Sequence, residues 1–373
     1  MPPPKPRRRL RRLLTASGLL VAVVVAPPLF IMIECAWKSP PERAVLADPP
    51  PVREAKRAIP KCGRVGPATY LTLPEWFIVY NSEEYAATLA AGHPSAFPYF
   101  RSIAQYWSYY RQVCHTACSR YPFDSGDHLM LAVIGSSFMI ENVLKGVYEN
   151  TIGRATEWLS STDTEEDRYA AQTASEYGRF MHTTPWYEFA FGSKLSGVWT
   201  QTHAWGSHPL RKWERRFALS LEYGTKAGYG WVIRKSSKSV YGNEDEWVCA
   251  WADHVPDAIF GDPRIRTITR LDDGSHILAL RRYEAFSGIV PQLVMAGVQF
   301  HDIAGNQRIL VTALADRERP FPDDEVGHVL FARPVLTSPP RQRVAIDAAV
   351  GALGDLLKRL AASGVALEHI YDY

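Results

Sequence analysis

Two Glu-Lys pairs with the same local sequence are the clearest candidates for a polar site. Glu141 and Lys145 lie in residues 140–155, Glu222 and Lys226 lie in residues 221–236, and both stretches read E-x3-K-x2-Y. A Glu four residues before a Lys forms a favourable ion pair on a helix, so each pair could simply satisfy its own charges. Because buried charge is costly, the alternative is a candidate buried polar site between two helices, retained for function.

The histidines suggest less chemistry. His182, His203 and His208 fall near Glu188 and could form a general acid-base group, but three histidines in one polar stretch are more typical of hydrogen-bonding scaffold. The sequence contains no zinc-protease, phosphate-loop, dinucleotide-binding or serine-hydrolase motif. We therefore predict no cofactor, and no catalytic residue can be named.

The five cysteines also favour a structural role. Cys114 and Cys118 are one helical turn apart, a spacing that suits a disulfide badly, and no second Cys/His pair follows closely. We predict buried free thiols and no metal here. Cys62 and Cys249 form the one disulfide that we expect.

A stretch rich in tryptophan and basic residues, 185–216, is the candidate surface. Tryptophan is enriched where an apolar body meets water, as at bilayer surfaces, and neighbouring basic side chains can contact lipid phosphates. The alternative is that these aromatic residues fill a core, as we expect for Trp186, Tyr187, Phe189 and Phe191 in either case. The predicted membrane- or partner-interface consists of Trp199, Trp205, Arg211, Lys212, Trp213, Arg215 and Arg216.

The N-terminus predicts a membrane anchor. Residues 13–37 contain one charge and are long enough to cross a bilayer, which needs about 20 residues. Residues 1–12 form a basic tail, so the positive-inside rule places the N-terminus in the cytoplasm and the bulk of the chain outside it. A cleaved signal peptide is the alternative. We expect a single-pass protein of the bacterial inner membrane with a periplasmic body.

Charge outside the anchor excludes one class of partner. Six of the 42 basic and one of the 39 acidic residues lie in residues 1–37, so the remainder carries 36 positive and 38 negative side chains. This balance provides no basic surface for nucleic acid. Membrane lipid, and a second envelope protein, are the partners that we consider.

Composition divides the remaining chain into three parts. Residues 38–68 are rich in proline and predict an extended tether, and residues 69–260 predict a mainly α-helical, aromatic-rich domain. Within it, residues 127–154 form the most apolar helix. Only 12 successive residues there lack a charge, which favours a buried core helix over a second membrane span.

Strand-like runs begin near residue 270. Residues 270–373 predict an α+β unit in the order β-α-β-β-α-β with one additional strand, which resembles the ferredoxin-like arrangement. In this prediction, residues 298–315 form a hairpin and residues 341–363 form one long amphipathic helix. The predicted fold class is therefore α+β, with an N-terminal transmembrane helix and an α-helical middle.

An internal duplication of the helical part is a further hypothesis. Besides the two Glu-Lys stretches, Phe97 precedes Trp107 by the same ten residues that separate Phe189 from Trp199. Residues 74–77 also match residues 185–189 loosely. A real repeat would place two helical units about an approximate twofold axis.

Three short stretches carry a resemblance to a family. FPYFRSIAQYW, YENTIGR and HPLRKWERR resemble segments of uncharacterised bacterial membrane-anchored proteins, and the resemblance covers residues 69–373. It implies an inner-membrane location and implies no activity.

Two functions remain open on these grounds. The first is a non-catalytic envelope protein, a binding or scaffold protein that contacts lipid or a partner at the membrane surface. The alternative is an enzyme acting on a lipid or envelope substrate, with the Glu-Lys pairs or His182 and His208 in a cleft between the helices. A transporter or channel subunit would need more than the one predicted span.

Overall fold

The chain forms a helical part followed by a β-rich part. The computed structural model describes residues 6–39, 49–57, 66–160, 162–237, 246–319 and 321–372. The helices before the sheets are α1 (Pro6–Lys38), α2 (Pro50–Arg57), α3 (Ala68–Leu71), α4 (Leu73–Ala90), α5 (Tyr99–Cys118), α6 (Ser125–Tyr148), α7 (Arg154–Leu159), α8 (Glu165–Met181), α9 (Phe191–Thr200) and α10 (Pro209–Ser237).

Helix α1 packs against the folded body instead of standing apart from it. Ile31 and Cys35 are buried in a core shared with α5, and Glu34 accepts hydrogen bonds from Arg111 at 2.9 and 3.2 Å. The predicted extended tether contains helix α2. Its Lys56 forms a buried ion pair with Asp302 of the β-rich part, so this portion of the tether is docked and not extended.

Helix α6 begins at an Asp124 cap, whose side chain accepts hydrogen bonds from the backbone of Gly126 and Asp127. One π-helical turn, Glu149–Gly153, joins it to α7. The prediction of a buried core helix is wrong, because only 28% of its most apolar 18-residue window is buried. Its apolar residues are numerous enough to surround the helix, so those on one side point outward.

The helical part contains the same three-helix arrangement twice. Helices α4, α5 and α6 correspond to α8, α9 and α10, and a 3-10 turn precedes both α5 and α9. The residues that directly follow these turns have nearly the same backbone angles, with φ −65° and ψ 136° at Phe97 and φ −65° and ψ 137° at Phe189. The structure supports the internal repeat here. The proposed match of residues 74–77 with residues 185–189 is wrong, because the first stretch begins α4 and the second precedes α9.

Equivalent aromatic clusters reinforce this correspondence. The ring of Phe97 lies 5.1 Å from that of Tyr85 and 4.9 Å from that of Tyr99. In the second copy, Phe189 lies 5.2 Å from Tyr177 and 4.8 Å from Phe191. Edge-on packing of this kind stabilises both copies, and it fixes α4 against α5 and α8 against α9.

The β-rich part forms two four-stranded antiparallel sheets, in the orders β2-β3-β1-β4 and β6-β7-β5-β8. Its elements are β1 (Trp247–Asp253), β2 (Ile265–Arg270), β3 (His276–Arg281), α11 (Glu284–Met295), β4 (Gln299–Ile303), β5 (Arg308–Asp316), β6 (His328–Pro334), β7 (Arg341–Ala349), α12 (Leu353–Ala362) and β8 (Ala366–Ile370).

The two sheets repeat one topology. In each, the third strand is followed by a helix and then by a fourth strand, and the first strand lies between the third and the fourth. The split β-α-β connection that we predicted is therefore present twice. The ferredoxin-like arrangement would place its strands in one sheet, whereas these eight strands are divided between two.

Three local predictions for this part are wrong. Strand β1 begins at Trp247, inside the predicted helical range 69–260. Strands β4 and β5 belong to different sheets and form no hairpin. Strand β7 occupies the first half of the predicted helix 341–363, where Val344 and Ile346 point to one buried face and the flanking side chains are buried too. A strand buried on both faces lacks the alternation that would reveal it.

Candidate functional site

The four residues of the candidate buried polar site meet in a closed ring. Lys145 of α6 contacts Glu141 at 2.9 Å within its own helix and Glu222 of α10 at 2.6 Å. Lys226 of α10 contacts Glu141 at 2.9 Å and Glu222 at 3.3 Å. Every charge therefore has one partner on its own helix and one across the interface. The reciprocal crossing is the pattern that a twofold relation between α6 and α10 produces.

Each lysine of the ion-pair ring also lies over the aromatic side chain of a tyrosine in the same copy of the repeat. The Lys145 ammonium lies 4.8 Å from the ring centre of Tyr85, and that of Lys226 lies 4.9 Å from Tyr177. Such contacts attract a cation to the face of the ring. Burial raises the pKa of both tyrosine hydroxyls, which therefore stay neutral beside the charged ring.

The ring lines a small cavity of about 80 Å³ between α4, α6, α8 and α10. Glu141 keeps 40% of its side-chain surface accessible although helices surround it. A cavity of this size, with polar walls, has room for several water molecules. Cavities that take drug-sized ligands are several times larger, about 300–1,000 Å³. The arrangement therefore suits a hydrated ion-pair cluster that holds two helices together.

The basic residues of the predicted interface are not on the surface. Arg211, Lys212, Arg215 and Arg216 are all buried, and Arg211 has no accessible surface. This part of the prediction is wrong. The physical reason is that this side of α10 faces α8 and the π-helical turn, whose acidic residues form ion pairs with the basic side chains.

These basic side chains form a dense buried network. Arg215 binds both carboxylate oxygens of Glu149 at 2.9 and 3.0 Å, and Arg211 contacts Asp167 at 2.7 Å. Arg216 and Lys212 share Glu166, at 2.8 and 2.9 Å. A buried guanidinium that donates to both oxygens of a carboxylate is held in place by that pairing. Because these side chains are buried, they do not reach the surface where a lipid phosphate would bind.

The π-helical turn explains how Glu149 reaches this network. The turn inserts one residue into the helix and directs Glu149 toward Arg215. Gly153, at the end of the turn, leaves the space that the Glu149 carboxylate occupies, since a Cβ at this position would overlap Oε2 of Glu149.

The three predicted tryptophans are on the surface. Trp199, Trp205 and Trp213 are exposed, with 73% of Trp205 accessible. They lie side by side, since the Trp213 ring is 6.1 Å from Trp199 and 5.9 Å from Trp205. Trp199 and Trp213 also cover the buried Arg216 guanidinium, at 5.3 and 5.8 Å. The Trp cluster, as we call these three residues, therefore caps the charged network with apolar surface.

Helix α10 thus has an inverted amphipathic character. Its charged residues 211–216, Trp213 excepted, point inward, while apolar side chains at helical spacing point outward. The exposed ones are Leu210, Trp213, Phe217, Leu221, Tyr229, Trp231 and Val232. We refer to them as the α10 outer face.

Helix α6 presents a similar surface. Its exposed large apolar residues are Leu129, Met130, Val133, Ile140, Leu144 and Val147, which we call the α6 outer face. Among the described residues, Ser125–Leu159 is the one helix long and apolar enough to cross a membrane by length and composition. Helix α1 likewise exposes Val23, Val25, Leu29, Phe30, Ile33 and Trp37.

The histidines of the predicted acid-base group do not converge. His182 hydrogen-bonds Glu83 at 2.8 Å, which raises the pKa of its imidazole, and His203 contacts Glu165 at 3.0 Å. His208 directly precedes α10 and has a positive φ of 62°. Phe189 and Phe191 are buried as predicted, whereas Trp186 and Tyr187 are half-buried.

One cluster escaped the sequence analysis. The sulfurs of Cys35, Cys114 and Cys118 come together with the His128 imidazole, and all four ligand atoms lie within 4.8 Å of one another. Cys114 and Cys118 are buried as predicted, but the prediction that they are free is wrong, because both sulfurs contact Cys35. The spacing Cys-x3-Cys followed by His128 was the available signal. Cys249 is disulfide-bonded, and Cys62, its predicted partner, lies outside the described residues.

Comparisons with protein families, with characterised proteins and with solved structures give no match for this chain.

Proposed function

We propose that this protein is a non-catalytic membrane protein that binds lipid along the outer faces of α6 and α10. The observation that carries the proposal is the inverted amphipathic character of α10. A helix on the surface of a water-soluble protein turns charge outward and apolar groups inward. Here the charges are inside and large apolar side chains are outside, as an apolar solvent requires.

The energetic argument favours lipid over water as the surroundings. Moving a side chain such as Leu or Phe out of water stabilises a protein by about 1.5–3 kcal/mol. Five of the seven residues of the α10 outer face are more than half exposed, Phe217 and Leu221 among them. Monomeric soluble proteins seldom leave large apolar patches uncovered. Lipid covers such a surface without demanding a shaped partner.

The Trp cluster fits the same proposal. Tryptophan prefers the membrane-water boundary, where an apolar ring and a polar N–H are both accommodated. The Trp199 indole N–H donates to Ser220 at 3.0 Å, and Trp205 is the most exposed member. Since the neighbouring arginines are buried in ion pairs, binding should depend on apolar contact and should be insensitive to salt.

A binding role is favoured over catalysis by the state of the charged groups. Glu141, Lys145, Glu222 and Lys226 satisfy one another in a closed ring, and the cavity beside them is too small for a lipid headgroup with its glycerol. An enzyme needs an acid or a base that can reach its substrate. No described residue of the ring is free for that task.

The location follows as part of the proposal. The basic residues among positions 1–12 favour a cytoplasmic N-terminus, and the bulk of the chain would then lie on the periplasmic side of a bacterial inner membrane. Helix α1 packs against α5 and α6, so its apolar face and the α6 outer face can occupy the same bilayer.

The test places a reporter on the outer faces in the full-length protein. Leu144→Cys and Leu221→Cys each add one cysteine, which is labelled with a thiol-reactive fluorophore after reconstitution into bilayers, and the unmodified chain with its five native cysteines is treated in parallel as the background. Quenching by a lipid-attached nitroxide is compared with quenching by aqueous iodide. The matched control is Ala361→Cys, at an exposed position of α12 in the β-rich part.

The proposal predicts strong lipid quenching and weak iodide quenching at residues 144 and 221, with the reverse at residue 361. Iodide quenching at all three positions would contradict it. If residues 144 and 221 were shielded from both quenchers, a protein partner would cover these faces and the lipid assignment would be wrong.

A further inference from the structure

We propose that Cys35, Cys114, Cys118 and His128 form a zinc site that fastens α1 to the helical body. The four side chains come from three helices, with Cys35 on α1, Cys114 and Cys118 on α5, and His128 on α6. All four are fully buried or nearly so. Three thiols and an imidazole are the soft donor set that zinc prefers in closed structural sites.

Two separations within the cluster match a tetrahedral zinc site. The Cys114 and Cys118 sulfurs are 3.8 Å apart, and the Cys35 sulfur lies 3.7 Å from Nε2 of His128. Zinc bonds of about 2.3 Å to sulfur and about 2.0 Å to nitrogen give tetrahedral edges of roughly 3.5–3.8 Å. The Cys35 sulfur also contacts the sulfurs of Cys114 and Cys118.

A disulfide accounts for only part of the cluster. The Cα atom of Cys35 lies 6.2 Å from that of Cys114 and 5.7 Å from that of Cys118, so either cysteine could pair with it. A sulfur forms one disulfide at a time, so one thiol and the imidazole would always be left over. A metal ion employs all four donors at once.

The surroundings orient His128 for this role. Its Nδ1 is hydrogen-bonded to the Tyr110 hydroxyl at 2.9 Å, and the Phe123 ring stacks on the imidazole at 4.5 Å. These contacts direct Nε2 toward the sulfurs. Histidines that bind metals usually have the second nitrogen held by such a partner, which fixes the orientation of the ring.

Zinc binding here would couple the anchor to the fold. On binding, the three thiols release their protons to solvent and the sulfurs donate electron pairs to Zn²⁺, with no change of oxidation state. Because Cys35 lies near the end of α1, the site would hold this helix against α5 and α6 and keep α1 from acting as a loose tether.

The first experiment measures zinc in the full-length protein purified in detergent under reducing conditions. We expect about one zinc per chain by elemental analysis, and an X-ray absorption spectrum fitted by three sulfurs and one nitrogen. Cobalt added to the metal-free protein should give thiolate-to-cobalt charge-transfer bands. These readouts use the unmodified chain, so they do not depend on whether a variant folds.

The decisive variant is His128→Ala, because a disulfide has no need of the imidazole. We expect at least a tenfold loss of zinc affinity in competition with a chelator. The matched control is His115→Ala, which removes a histidine of α5 that contacts Glu34 and lies outside the cluster; its zinc content should equal that of the unmodified chain.

Two results would overturn the proposal. One is a reduced protein that takes up neither zinc nor cobalt. The other is a metal-free protein in which peptide mass spectrometry maps a bond from Cys35 to Cys114 or Cys118 and His128→Ala changes nothing. Either result would make the cluster a disulfide with a spare thiol.

Discussion

Lys145 on α6 donates to Glu222 on α10 at 2.6 Å, and Lys226 on α10 returns the contact to Glu141 on α6 at 2.9 Å. The two copies of the helical repeat are thus joined by a reciprocal pair of ion pairs at their centre. Each residue of the ring has the same role as its counterpart in the other copy of the repeat. The effects of substitutions at equivalent positions can therefore be compared directly.

Replacing Glu222 by Gln should destabilise the protein by about 2–3 kcal/mol, because both lysines lose a buried partner. Glu141→Gln removes the equivalent contacts but should cost less, since 40% of the Glu141 side chain is accessible, against 21% of the Glu222 side chain. Denaturant unfolding in detergent measures both. In a double-mutant cycle, Lys145→Gln combined with Glu222→Gln should show coupling of about 1–3 kcal/mol. Additive effects would mean that the ring does not join α6 to α10.

Arg215→Met should lower the free energy of unfolding by about 3–5 kcal/mol, because Glu149 and Glu214 stay buried without their partner. The control is Arg168→Met, which breaks an ion pair with Asp163 in which both side chains are mostly exposed, and which should cost less than about 1 kcal/mol. Thermal unfolding monitored by circular dichroism distinguishes them. If the two variants cost the same, Arg215 would lie on the surface, as the sequence analysis had predicted.

Gly153→Ala should destabilise the protein by about 1–3 kcal/mol, because the added Cβ would overlap the Glu149 carboxylate and displace it from Arg215. The control is Gly192→Ala in α9, where a Cβ meets no atom within 4 Å. That variant should be neutral or should gain up to about 1 kcal/mol of helix propensity. Equal effects in the same unfolding assay would show that the π-helical turn has no special packing requirement.

Stability should fall with rising pH through the titration of Glu75 in α4. Burial, with a smaller effect of Asp127, raises the pKa of this carboxyl from 4.5 to about 7. The folded chain therefore holds the proton more tightly than the unfolded chain, and the free energy of unfolding decreases between pH 4.5 and about 7. A shift of this size corresponds to about 3 kcal/mol at most.

Glu75→Gln should remove this dependence. The variant should match the unmodified chain near pH 4 and exceed its stability at pH 8, and urea unfolding at the two pH values measures the difference. Glu54→Gln, at an exposed position of α2, is the control. The positive charge of Arg282 acts in the opposite direction and lowers the pKa of Glu75. A Glu75→Gln variant that is less stable than the unmodified chain at pH 8 would show that this attraction to the ionised carboxylate outweighs the cost of burying it.

The structural features that the sequence determined by itself are those that depend on local residue patterns. Helical spacing located α5, α6 and α10, and the shared E-x3-K-x2-Y motif identified four residues that do meet. Apolar content identified α6 as the most apolar helix of the body, but the prediction that this helix is buried was wrong. These features follow from periodicity along the chain, which a single sequence shows directly.

Only the tertiary structure decided which way α10 faces. Arg211, Arg215 and Arg216 look like a surface cluster along the chain, and they are buried because acidic residues from α8 and the π-helical turn are packed against them. The same is true of Cys35, which lies 79 residues before Cys114 and joins it through helix packing. The division of the strands between two sheets is likewise a matter of long-range pairing. Contacts between distant segments decide whether a charged side chain is buried and with which residue it forms an ion pair. Local sequence patterns do not show these contacts.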